Sequence, residues 1–94
     1  MRGVRLDLLS NASATGAQVT WPGGRGMFAA DGTFSAATVK LQFLGPAGNW
    51  LDAGTYTTLT AAGGGIFDLP QGGIRAFVSG TPSGMYAYAC SVDL

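Results

Sequence analysis

The sequence predicts an all-β protein: a small antiparallel β-sandwich, jelly-roll-like or barrel-like, of about seven or eight short strands. Strand-type segments recur roughly every 8–12 residues along the 94-residue chain, which is the spacing typical of such folds. Glycine- and proline-rich turns separate these segments and use many of the 16 glycines. No helix is predicted, because glycine or proline interrupts every run of apolar residues at helical spacing.

The first segment, residues 4–9, is predicted to be either an edge strand of the protein's own sandwich or an arm that adds a strand to a neighbouring subunit. A linker of small residues follows at 10–16. Either arrangement would order the segment, so both alternatives stay open. The predicted division is therefore residues 1–16 as arm or edge strand and residues 17–94 as a single β-sandwich domain.

Two strands are predicted to follow the linker. Residues 17–21 alternate in polarity, which places Ala17 and Trp21 among the inward side chains. Residues 25–30 form the next strand, and the Asp-Gly pair at 31–32 is predicted to turn the chain.

The clearest hairpin joins residues 38–44 to residues 49–53 through a Gly-Pro-Ala-Gly turn. Its inward residues are predicted to be Val39, Leu41 and Phe43, and its outward residues Lys40 and Gln42. A slip of one residue would exchange the two sets, so the alternation fixes the strand register.

Further strands are predicted at residues 57–60, 65–69, 74–78 and 85–92. The last of these is apolar on both faces, which is typical of a central strand or of one whose outer face meets a partner. Cys90 lies in this strand as the chain's single cysteine and is predicted to be a small buried hydrophobic residue.

The composition argues against an enzyme. The chain has no histidine and no glutamate, which excludes histidine-dependent nucleophilic catalysis and leaves only five aspartates for carboxylate chemistry. We therefore expect no catalytic residues, no metal site, no cofactor and no small-molecule substrate. A net charge of zero gives no basic stripe for direct nucleic-acid binding, and no apolar stretch approaches the about 18 residues of a membrane span.

Protein contact is the predicted mode of action. Charged residues make up only 11% of the chain, so the surface must be nearly neutral and easily desolvated by a partner. The candidate partner-contact residues are Arg2, Arg5, Leu6, Arg25, Trp50 and Tyr56. Arginine and large aromatic residues are enriched at interfaces. Trp50 and Tyr56 lie near a hairpin tip and have two alternatives, as core residues or as an aromatic platform for a sugar.

Three stretches carry a resemblance: VKLQFLGPAGNW at residues 39–50, TLTAAG at 58–63 and FDLPQGGIRA at 67–76. Together they resemble small structural proteins of tailed bacteriophages, some of which are capsid decoration or cement proteins. The resemblance implies a virion protein on the capsid exterior, assembled in the host bacterial cytoplasm, with the major capsid protein and copies of itself as partners. The alternative is a tail, neck or fibre-associated β module with a glycan- or receptor-binding role.

Overall fold

The computed structural model describes residues 5–92 as two packed antiparallel β-sheets, which confirms the predicted sandwich. Nine strands and one turn of 3-10 helix lie in this range. They are β1 Arg5–Ala12, β2 Val19–Trp21, β3 Gly24–Thr33, β4 Thr38–Leu44, β5 Trp50–Asp52, η1 Thr55–Thr57, β6 Thr58–Leu59, β7 Gly63–Leu69, β8 Gly72–Ser79 and β9 Ser83–Ser91.

The nine strands are divided between the two sheets, with the consecutive strands β4, β5 and β6 in the same sheet. The four-stranded sheet has the order β1-β9-β3-β7. The five-stranded sheet has the order β2-β8-β4-β5, and the short strand β6 also pairs with β4. Strands β5 and β6 share one edge of β4: β5 pairs along residues 42–44 and β6 along residues 39–40. The predicted strand 85–92 corresponds to β9, which lies between β1 and β3 in its sheet, while its outer face is left uncovered at Tyr86, which is 53% exposed.

The core fills the space between the sheets. Its fully buried large side chains are Trp21, Phe28, Val39, Leu41, Ile74 and Met85. Trp21 packs against Phe67 with ring centroids 4.9 Å apart and planes tilted by 59°. The indole Nε1–H of Trp21 donates to the Gly24 carbonyl at 3.3 Å, which satisfies the one polar atom of this buried ring.

The predicted hairpin is confirmed as β4 and β5. Val39 and Leu41 are fully buried, and Phe43 is half-buried against the core. Gln42 points to the outer face yet is only 8% exposed, because side chains of the neighbouring strands cover it.

Strand β1 lies at the edge of the four-stranded sheet, which is the edge-strand arrangement for residues 5–12; residues 1–4 lie outside the described part. The register against β9 shifts between Asp7 and Leu9. This β-bulge turns both Leu8 and Leu9 into the core. The following segment is tied to the other sheet, since the Gly16 N–H donates to the Ala76 carbonyl at 3.0 Å.

Three local predictions are wrong. The Asp31-Gly32 pair does not turn the chain, because β3 continues to Thr33 and the pair forms a bulge against β9. The positive φ of Gly32, 137°, is used in that bulge, and the turn follows at 34–37, where the Ala37 N–H donates to the Phe34 carbonyl at 2.8 Å. Ala17 is exposed rather than inward, since β2 begins two residues later. Cys90, expected to be buried, is half-buried on the outer face of β9.

Candidate functional site

The outer face of the five-stranded sheet carries a connected group of polar and aromatic side chains, which we name the Arg75 cluster. Its members are Lys40, Gln42, Trp50, Asp52, Arg75 and Phe77. Strand register brings them together: Gln42 of β4 pairs with Asp52 of β5 on one side and with Arg75 of β8 on the other. Side chains at paired positions share a face of the sheet, so these three lie in one row.

Hydrogen bonds run along that row without a break. The Arg75 Nε–H donates to Gln42 Oε1 at 3.0 Å, and Gln42 Nε2 donates to Asp52 Oδ1 at 3.0 Å. Lys40, two residues before Gln42 on β4, also donates from Nζ to Asp52 Oδ2 at 3.1 Å. The hydrogen bond from Gln42, followed by that from Lys40, lowers the pKa of Asp52. Both bonds favour the ionised carboxylate, so the row is fully formed at neutral pH.

Aromatic rings also contact the two cations of the Arg75 cluster, Lys40 and Arg75. The Arg75 guanidinium carbon lies 4.4 Å from the centroid of the Trp50 ring and 5.7 Å from that of Phe77. Lys40 Nζ lies 5.3 Å from the Phe77 centroid. Cation–π contact and hydrogen bonding together fix side chains that would otherwise sample many rotamers. The Arg75 cluster is therefore a pre-ordered surface.

Apolar side chains border the Arg75 cluster at the β4–β5 hairpin. Leu44 is 39% exposed and pairs with Trp50 on this outer face, whereas Leu51, 43% exposed, pairs with Phe43 and therefore lies on the opposite face of β5. Tyr56 is the most exposed large apolar side chain in the described residues, at 80%. Its backbone packs closely on Gly65 of β7, in the other sheet, so Tyr56 and Trp50 are held by different parts of the fold. Arg75 also covers a face of the Trp50 ring that a sugar platform would use.

The outer face of the four-stranded sheet presents an open groove of about 490 Å³. Its lining residues include Arg5, Asp7, Asp31, Tyr86 and Tyr88. The Arg5 guanidinium carbon lies 4.3 Å from the centroid of the Tyr88 ring, and Arg5 Nε lies 3.3 Å from Asp7 Oδ1. The groove thus combines aromatic rings with charges of both signs.

The structure distributes the predicted contact residues over several surfaces. Trp50 belongs to the Arg75 cluster and Arg5 to the groove. Leu6 packs against the core, and Arg25 is exposed opposite Asp68 on the four-stranded sheet. Arg2 lies outside the described residues.

Sequence reasoning missed Arg75, Phe77 and the row through Gln42. Alternation along 38–44 and 74–78 predicts outward positions there, but it does not tell which strands are neighbours.

No helix within residues 5–92 is long and apolar enough to cross a membrane. In the same range, no three potential metal-ligating side chains come together.

Comparison with known proteins gives a fold relative. No protein-family profile matches the chain, and no curated protein sequence matches it significantly. Among solved structures, the chain is similar to the crystal structure of the SPBc2 prophage-derived protein YomS, with a TM-score of 0.62 and 12% sequence identity. The similarity covers 96% of this chain and 94% of that one, so the two share the whole sandwich.

Proposed function

We propose that this chain is a non-enzymatic structural protein of a bacteriophage particle, a decoration or cement subunit that binds the assembled capsid. The Arg75 cluster carries the proposal. Tryptophan and arginine dominate the binding energy of protein interfaces, especially where they are held in place before binding. Here Arg75 and Trp50 are stacked on each other, and exposed Leu44 extends the surface.

The fold relative supports a phage origin, since YomS is described as prophage-derived and matches over nearly its full length. The low charge of the chain fits the same role. A surface with few charges loses little hydration energy when a partner covers it.

The mechanism is thermodynamic. A subunit that binds the assembled shell and not its free building blocks stabilises the shell by mass action, in the way that any ligand stabilises the state it selects. Many copies on a symmetric lattice, in contact with the capsid and with one another, add their effects through multivalency. Weak contacts at each copy are then sufficient.

The test is co-sedimentation of the purified chain with capsids of its own phage, prepared without this protein. Trp50→Ala and Arg75→Ala should each weaken capsid binding by about tenfold or more, because truncation of an interface anchor costs over about 1–2 kcal/mol. Arg25→Ala is the comparison variant, since Arg25 is an exposed arginine and a contact candidate on the other sheet, and retained binding in this variant would confine the interface to the five-stranded sheet. Unchanged capsid binding in both Trp50→Ala and Arg75→Ala would show that the Arg75 cluster is not part of the interface.

Cryo-electron microscopy of the intact particle decides between this proposal and the alternative. Density for the chain in many copies on the shell supports decoration. Density on the tail, neck or fibres would instead support a β module that contacts a host glycan or receptor.

A further inference from the structure

We propose that the groove on the outer face of the four-stranded sheet is a binding site for a neutral saccharide unit that packs against Tyr86 and Tyr88. This site, which we name the tyrosine slot, is formed by Arg5, Asp7, Asp31, Tyr86 and Tyr88. It is distinct from Trp50 and Tyr56, the residues that sequence alone offers for a sugar platform. The open groove of about 490 Å³ has room for a sugar ring together with its hydroxyl groups.

The two tyrosines lie side by side on one face of the sheet. Tyr86 and Tyr88 are two residues apart on β9, so their side chains leave the same face about 6.6–6.8 Å from each other. A sugar ring inserted between them would need two carbon-to-carbon contacts of about 3.5–4.0 Å each, so the sugar is placed against the pair rather than between the rings. Tyr86 is 53% exposed, which leaves much of its ring available for that contact.

Arg5 restrains one of the two tyrosines and also lines the groove. Strand register places Arg5 opposite Cys90, the next outward position after Tyr88 on β9. The guanidinium stacks on Tyr88 at 4.3 Å from the ring centroid. The Tyr88 ring is thus held in place by a cation–π contact.

Carboxylates flank the slot on both neighbouring strands. Asp7 of β1 pairs with Tyr88, and Asp31 of β3 pairs with Tyr86. Asp31 Oδ1 accepts a hydrogen bond from the Gly32 N–H at 2.8 Å. This bond fixes the orientation of the carboxylate, and the second oxygen, Oδ2, takes no part in it. The β-bulge at Asp31 and Gly32 therefore holds this carboxylate beside Tyr86.

These groups select the chemical class of the ligand. Carboxylates accept hydrogen bonds from hydroxyl groups, the Arg5 guanidinium donates to hydroxyl oxygens, and tyrosine rings pack against the C–H faces of a sugar. Arg5, Asp7 and Asp31 sum to one negative charge, which disfavours phosphate- or carboxylate-bearing ligands. A neutral, hydroxyl-rich ring satisfies all of these groups at once.

This inference does not rest on the proposed function. The Arg75 cluster and the tyrosine slot lie on the outer faces of different sheets, so a subunit bound through one face keeps the other open. Capsid co-sedimentation tests the proposed function, and sugar titration of the free protein tests the saccharide site. The failure of one proposal is therefore distinguished from the failure of the other.

The experiment is an NMR titration of the ¹⁵N-labelled protein with the methyl glycosides of glucose, galactose and N-acetylglucosamine, and with glucose 6-phosphate. We expect saturable shifts at β9 and at residues 29–31 with at least one neutral glycoside, and weaker binding of the phosphate. Tyr86→Ala should raise the dissociation constant by about tenfold or more. Tyr56→Ala, the control for loss of an exposed tyrosine, should leave it unchanged.

Asp31→Asn provides a second variant. The asparagine oxygen can still accept the Gly32 hydrogen bond, so the bulge is retained while one ligand-facing charge is lost. We expect weaker binding of the neutral sugar and a smaller preference against glucose 6-phosphate. Absence of saturable shifts with every glycoside, shifts centred on Trp50 and Tyr56, or equal affinity in wild type and Tyr86→Ala would each overturn the proposal.

Discussion

Gly26 allows the contact between Trp21 and Phe67 in the core to form. A Cβ atom at this position would lie 2.6 Å from Trp21 Cη2 and 2.8 Å from Phe67 Cζ, both shorter than the 3.0 Å below which something must shift. Neither ring is free to move away, since Trp21 is fully buried and Phe67 is 5% exposed. Gly26→Ala should therefore destabilise the fold by about 1–3 kcal/mol, the range for an overpacked core.

Chemical and thermal denaturation measure this effect. For a domain of this size, a loss of about 2 kcal/mol lowers the melting temperature by about 8–16 °C. Gly63→Ala is the matched control, because Gly63 is also a strand glycine and its added Cβ would have only the Ala61 carbonyl oxygen, at 3.9 Å, within 4 Å. The control should be neutral or slightly stabilising. Equal melting temperatures for the two variants would refute the steric argument.

Three further predictions concern the hairpin, the edge strand and the Arg75 cluster. Leu41→Ala should cost about 2–5 kcal/mol in urea unfolding, because Leu41 is fully buried; a smaller loss would contradict the observed packing. Deletion of residues 1–9 should abolish folding as judged by circular dichroism, since it removes two buried leucines of β1; a folded truncation that no longer joins the particle would instead identify an arm. Wild type should be more stable than Asp52→Asn near neutral pH. The folded-state pKa of Asp52 is lowered, so this difference should shrink as pH falls below about 4, and a difference independent of pH would contradict it.

The strands that sequence predicts best are those whose two faces differ most. Val39 and Leu41 alternate with Lys40 and Gln42, and this contrast is sufficient to predict the β4–β5 hairpin and its register. Strand β1 lacks such a contrast. Its bulge buries Leu8 and Leu9 together, and simple alternation assigns consecutive residues to opposite faces.

For a related reason, the sequence alone does not distinguish a turn from a β-bulge at Asp31 and Gly32. The Asp31-Gly32 pair signals a positive φ, and the structure has one there, but a turn and a β-bulge both use it. The choice between them depends on pairing with β9, about fifty residues later in the chain. The Arg75 cluster has the same dependence, since Arg75 and Gln42 are 33 residues apart and meet only because β8 lies beside β4.

The two surfaces differ in how their charges are used, and this difference supports separate roles. In the Arg75 cluster, Lys40, Gln42 and Arg75 donate hydrogen bonds to other members of the cluster. A partner would therefore meet an ordered face of rings and aliphatic side chains. Such a face suits a protein surface of fixed shape. In the tyrosine slot, Arg5 and Asp7 keep side-chain exposures of 62% and 70%, so their polar atoms still face solvent. Groups that remain hydrated can exchange water for the hydroxyl groups of a small ligand. A domain that docks through the first surface would present the second outward, on the far side of a molecule only 21 Å across in its thinnest direction.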